Sequence, residues 1–348
     1  MIDRLHAIRS ISGKALAAFA VGTMLVIAGC GGSSSTGGGG SSTPTPSSLT
    51  ACTITSNELA ATVTSHGTAT QVAGLSGQKL AVDGSSALQP LLKQAAAEFD
   101  QANGTLSTVN AGGSGQGLND ANAGAVDIGM SDVFAQEKES TPGQYSSLTD
   151  HQVAAVIFTL VVNNDLKSTV QNLTSQQILK IFTAQVSSWK DIGGPDEAIT
   201  VVARKASSGT RATFKKYVLN GTEESATSDQ DSTGAVVAAV KATPGAIGYV
   251  TVGFANSNKD DVAPVCIDGA KPVLSAISDG SYKFWNIEHS YTKGPAAGVE
   301  KEFLKYVLSP QVQTNDVPAL GFVAIASVSA SAIASHTPAG APAPESLG

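Results

Sequence analysis

From Gln78 onward, short apolar runs alternate with segments whose apolar residues recur at helical spacing. That alternation restricts the chain to sheets covered by helices, the α/β class. Strands are predicted at 79–83, 106–110, 126–130, 153–162, 199–204, 246–250 and 322–325. Helices are predicted at 88–99, 117–123, 175–182, 210–219, 233–242 and 299–307. The helix at 88–99 carries Leu88, Leu91, Leu92, Ala95, Ala96 and Phe99 on one face. No internal repeat is visible. At roughly 150 residues per domain, a chain of 348 residues holds about two. Its 21 basic and 28 acidic residues give a net charge of −7, which argues against a nucleic-acid binder, since that needs a basic face to displace counterions.

The first thirty residues have the form of an export address. Arg4, Arg9 and Lys14 precede an apolar run, Ala15 to Ala28, that is too short to span a bilayer comfortably. It ends in Ile27-Ala28-Gly29-Cys30, which resembles the lipobox of bacterial lipoproteins. On that basis residues 1–29 are a signal peptide and Cys30 is the lipidated residue; the alternative is an ordinary signal peptide. Gly31 to Ser48 is almost wholly Gly, Ser, Thr and Pro, so it cannot bury enough surface to offset its ordering entropy. It reads as a tether that keeps a soluble body close to a membrane. The tail at 335–348 is equally low in complexity and is expected to be disordered. Beyond Cys30 only Cys52 and Cys266 remain. An even count in an exported chain permits a bridge that staples the N-terminal segment to the body, and two free thiols remain open as well.

Three loops share one design: a strand, a turn of small hydroxyl or glycine residues, then a helix. They are Asp83-Gly84-Ser85-Ser86-Ala87, Ala111-Gly112-Gly113-Ser114-Gly115 and Arg204-Lys205-Ala206-Ser207-Ser208-Gly209-Thr210-Arg211. A helix N-terminus presents unpaired N–H groups and about half a positive charge. Glycine lets the backbone approach a ligand closely, and hydroxyls add donors. Three such termini converging on one point would hold a small oxyanion. Each loop alone signifies little, because a Ser before a helix is usually only a cap.

Other chemistries fail on spacing. The Gly112–Gly117 turn lacks the Lys of a P-loop, and neither a dinucleotide fingerprint nor a nucleophile elbow is present. Ser187-Ser188-Trp189-Lys190 matches Ser-x-x-Lys, but its companion motifs are absent. The five histidines are scattered without metal-ligand spacing. No acid/base pair is arranged for catalysis, so no enzymatic activity and no cofactor are expected.

Taken in order, Val82–Phe99, Asn110–Asp132, Leu173–Gly194, Val201–Leu219 and Thr243–Val250 resemble the phosphate-binding proteins of bacterial ABC transporters, the PstS-like family, over about Leu80 to Ile325. The resemblance implies a two-domain periplasmic-binding-protein fold with hinge strands and a ligand cleft between the domains. It implies residues 30–78 as lipidated Cys, tether and N-terminal segment, 79–158 with 285–334 as domain one, and 159–284 as domain two. It further implies capture of inorganic phosphate and delivery to an ABC permease, by a monomer held at the outer membrane face through Cys30. Ser86 and Ala87 would donate from the first loop and Ser114 from the second. Asp132 would accept. Arg204 would be the ionic partner, with Ser208, Gly209 and Thr210 as helix-start donors.

Asp132 carries the selective step. A carboxylate facing an anion is repelled unless the anion brings a proton to donate. Phosphate near neutral pH keeps one and sulfate does not, so the acceptor rejects sulfate. One position departs from the family: the Asp that holds the arginine, two residues after it, is Ala206 here. Arg204 is then freer, or Arg211 pairs with the ligand or a nearby carboxylate. Other functions keep the same fold: a binder of another oxyanion, or a phosphate sensor or adhesin without transport.

Overall fold

The computed structural model describes residues 49–50, 52–54 and 68–347. The signal peptide, Cys30 and the tether expected at 31–48 lie outside the described residues.

The body alternates as expected. Strand β1 (Lys79–Gly84) leads into helix α1 (Gln89–Asn103), β2 (Leu106–Val109) into α2 (Ser114–Ala123), and β3 (Ile128–Ser131) follows. Helix α1 buries Leu91, Leu92, Ala95, Ala96 and Phe99, the stripe its spacing predicts, and ends at Gly104 in the left-handed region (φ 68°). Each fully buried leucine there contributes roughly 2 kcal/mol. The long strand β4 (Leu148–Asn163) starts earlier than the apolar run suggests. Its first residues, including Asp150 and His151, are polar yet buried, so hydropathy alone misses them. After it come β5 (Asn172–Leu173), α3 (Ser175–Phe182), β6 (Thr200–Arg204), α4 (Gly209–Tyr217) and β7 (Ser228–Gln230). Helix α3 opens on a capping box between Thr174 and Gln177. Next are α5 (Thr233–Ala242), β8 (Ala246–Thr251), α6 (Val252–Ser257), β9 (Val262–Ile267) and α7 (Leu274–Ser278). The chain closes with β10 (Trp285–Lys293), α8 (Gly298–Val307), β11 (Phe322–Val323) and α9 (Ala330–His336).

The strands run in the order β2-β1-β3-β10-β4-β8-β6-β7. Strand β4 bridges two lobes: Leu148–Ile157 pairs with β10, and Phe158–Asn163 pairs with β8 and β9. On one side β1 lies parallel between β2 and β3; on the other β6 lies parallel between β7 and β8. Parallel strands whose order reverses about the first strand leave a crevice at their carboxyl ends, where ligands bind. The three small-residue loops all leave strands at that end. Two glycines set the helix spacing: a Cβ on Gly117 would meet Asp83 O and Met130 O at 2.7 Å, and one on Gly129 would meet Gly117 itself. Only glycine lets α2 lie this close to β1 and β3.

One expectation changes, and one alternative left open is settled. The C-terminal segment is placed against the body rather than free. Glu345 N–H donates to Asp150 O at 2.8 Å, its Oε2 accepts from Ala296 N–H at 3.1 Å, and Leu347 is buried. Low complexity did not register that a few well-placed groups can dock a Pro/Ala-rich segment. At the other terminus Cys52 is bonded to Cys266, and Leu49 O accepts the amides of Gln171 and Asn172 at 2.8 Å, so the described N-terminal residues do pack on the body.

Candidate anion-binding site

Ser86, Ser114, Asp132, Arg204, Ser208 and Thr210 are all buried, and the fold brings them to one place although up to 124 positions separate them in sequence. The Asp132 carboxylate accepts from Ser85 Oγ in its own lobe, and from Thr210 Oγ1 at 2.8 Å on α4 of the other lobe. Its backbone N–H donates to Ser114 Oγ at 3.0 Å. A Cβ on Gly209 would stand 2.9 Å from Asp132 Cβ and against Ser114, so the start of α4 meets the second loop without room for a side chain. Ser208 caps α4 by accepting from Arg211 N–H at 3.2 Å. Ala87 N–H, expected to face a ligand, donates to Ser85 Oγ at 3.0 Å.

Arg204 is held without the missing Asp. Its guanidinium donates to Gln230 O at 3.3 Å, Asp231 O at 3.2 Å, Thr233 Oγ1 at 3.1 Å and Ser86 Oγ at 3.0 Å. Main-chain carbonyls of the β7–α5 turn thus replace a carboxylate and leave the arginine's charge uncancelled by them. Burial pulls its pKa down from the ordinary value, and the charge of Asp132 opposes that pull. Arg211 takes the second alternative left open by the sequence: it pairs with Glu224 at 3.0 Å and donates to Arg204 O at 2.6 Å. Burial pushes Glu224 up to about 7 despite that partner. Beneath α4, Phe214 stacks on Tyr249 with centroids 4.5 Å apart, and Tyr249 Oη accepts Arg204 N–H at 3.1 Å. The aromatic core therefore fixes the backbone from which Arg204 projects.

Sequence reasoning missed four participants. Thr233 opens a fourth strand–turn–helix loop, Asp231-Ser232-Thr233, and bonds to Ser86 through its N–H and hydroxyl at 3.1 Å. The same loop signature would have found it. Ser85 had the signature but was passed over for its neighbour. Lys138 and Glu288 carry no local signal; only packing brings them near. Among the described residues no group of three or more His, Cys, Asp or Glu could hold a metal ion.

Residues 49–311 match the model of the PBP superfamily domain. The chain is 44% identical over 247 residues to the phosphate-binding protein PstS of Bacillus subtilis, covering 71% of this chain and 80% of that one. It belongs to the PstS-like family of the PBP superfamily. Solved structures share the fold. One, from Clostridium perfringens, is described as a phosphate ABC transporter substrate-binding protein with bound phosphate; it gives a TM-score of 0.63 at 24% identity, covering 71% of this chain and all (100%) of that one. An ABC-type phosphate transport receptor from Vibrio cholerae gives 0.55 at 25% identity, over 70% of this chain and 99% of that one. The chain is accordingly a solute-binding protein of the PBP superfamily.

Proposed function

We propose that this protein captures inorganic phosphate between its lobes and delivers it to an ABC permease from the outer face of a membrane, anchored through lipidated Cys30. The lobes would be residues 79–158 with 285–334, and 159–284, moving about β4 and β10. Ser86, Ser114, Arg204, Ser208, Gly209 and Thr210 would surround the anion, with Thr233 added from the fourth loop. Ala87 is a weaker candidate because its N–H is already engaged.

The observation that carries the proposal is Asp132. A buried carboxylate among helix starts and one guanidinium excludes a fully ionised anion yet accepts from one that keeps a proton. Burying two lone-pair oxygens face to face costs about 1–3 kcal/mol, which is roughly tenfold to a hundredfold in affinity. Binding of phosphate at micromolar level or tighter, about −8 kcal/mol, fits charge-assisted hydrogen bonds in a closed site.

Calorimetry on protein stripped of bound anion tests this. Phosphate should bind at least tenfold more tightly than sulfate. Asp132→Asn should erode that ratio, and Arg204→Ala should weaken phosphate by at least tenfold. Equal binding of both anions by the unaltered protein would overturn the proposal and leave another oxyanion as the ligand.

A further inference from the structure

Lys138 ends a short turn, Ala135–Lys138, that follows Asp132 in the first lobe. Its ammonium crosses to the second lobe and donates to Ala206 O at 3.0 Å and Ser208 O at 2.9 Å. Both acceptors belong to the loop that opens α4. The preceding residue, Glu137, reaches the far end of the same helix and pairs with Lys216 at 2.6 Å. Two consecutive residues of one lobe thus grip both ends of one helix in the other.

Peptide geometry gives the lysine a definite task. In a trans peptide the C=O of one residue and the N–H of the next point in opposite directions. An ammonium that draws the carbonyls of residues 206 and 208 to one side therefore turns the N–H groups of Ser207 and Gly209 to the other. The Gly209 backbone is the one packed against Ser114 and Asp132.

We propose that Lys138 is a positioning residue that clasps the two lobes: it orients the amides at the start of α4 toward the anion and adds a positive charge at the edge of the site in the closed form alone. The proposal rests on the anion-binding function proposed above and extends it to closure. Opening the cleft returns the ammonium and both carbonyls to water, so removing the clasp should act on release more than on capture.

The charge of Lys138 is conditional. Burial lowers its pKa to about 8, against the pull of Asp132 and Glu137, and with the push of Arg211 and Arg204. Lys216 faces Glu137 from α4. The clasp is therefore charged below pH 8 and is lost as pH rises through that value.

The test compares the unaltered protein, Lys138→Met and Lys138→Arg, with phosphate as probe. At pH 7 Lys138→Met should bind phosphate at least tenfold more weakly, mostly through faster release, while keeping its preference over sulfate because Asp132 is intact. Between pH 7 and 9.5 the unaltered protein should lose affinity faster than Lys138→Met; the ionisation of phosphate itself is common to both. Lys138→Arg should regain affinity and keep it at pH 9.5. Spin labels on exposed positions of the two lobes should show longer distances in Lys138→Met, with or without anion. Affinity within twofold, parallel pH profiles or unchanged distances would overturn the clasp. Failure of the unaltered protein to bind phosphate would instead refute the ligand assignment, and the label distances would still judge the clasp.

Discussion

Beside Asp132 lies a second carboxyl. Glu288 of β10 is fully buried, and its carboxyl faces that of Asp132. Its neighbour across the sheet is Asp132: His289 is paired with Ser131, and the antiparallel run places Glu288 beside the next residue. Burial, followed by the charge of Asp132, raises the Glu288 pKa well above the carboxylate range, so Glu288 stays a neutral acid. The sign of the pH effect follows. In the unfolded chain a glutamate ionises near pH 4.3, whereas the folded protein keeps the proton, so folding loses about 1.4 kcal/mol per pH unit above that point until Glu288 itself ionises. Glu288→Gln is neutral in both states and removes this loss. Urea melts at pH 5 and pH 7 should therefore show the variant gaining on the unaltered protein as pH rises. Equal differences at both pH values would mean that Glu288 is charged in the native state. Asp132 was legible because it follows a short strand in a recognisable motif. Glu288 was not, because nothing in its own strand names the neighbour that gives it meaning.

At the level of elements, α9 acts as a strap over the hinge. His336, its last residue, stacks on Tyr217 of α4 at 4.1 Å and on Trp285 of β10 at 3.9 Å between ring centroids. Its Nε2 lies 3.3 Å from Lys283 O. His336 falls within the tail at 335–348 that was expected to be disordered, and these ring contacts hold it against the body. Burial lowers the His336 pKa to about 4. A depressed histidine is neutral in the fold while the unfolded chain takes up a proton near pH 6.5. Stability is then lost as pH falls from 6.5 to 4, by on the order of 3 kcal/mol in all. Hydrogen exchange should show the amides of α9 opening between pH 6.5 and 4.5, and His336→Phe should suppress that opening. An exchange rate in α9 with the same pH dependence in both proteins would remove His336 as the cause.

Across the whole molecule, the Cys52–Cys266 bond closes a loop over 214 positions and ties the N-terminal segment to β9. Closing so long a loop restricts the unfolded ensemble and stabilises the fold by up to about 5 kcal/mol. Replacing both cysteines by serine should lower the urea midpoint accordingly. Phosphate affinity should change by less than twofold, because β9 supplies none of the anion loops. A large affinity loss in a protein that still melts cooperatively would instead show that the bond sets the arrangement of the lobes.

The sequence alone determined strands β1 to β4, β6, β8 and β11, helices α1 to α5 and α8, and three of the four loops that meet at the site, but not β5, β7, β9, β10, α6, α7 or α9. These are local matters: apolar spacing, a capping hydroxyl and a glycine act within a few residues of one another. Only the tertiary structure decided what those loops meet. Thr210 reaches Asp132 across 78 positions, Arg204 reaches Ser86 across 118, and Thr233 reaches Ser86 across 147. The same is true of the carbonyls that replace the missing Asp, the acid behind Asp132 and the lysine on the loop of α4. Each partner was chosen by how β4 and β10 set the lobes face to face, and no short stretch of chain contains that information.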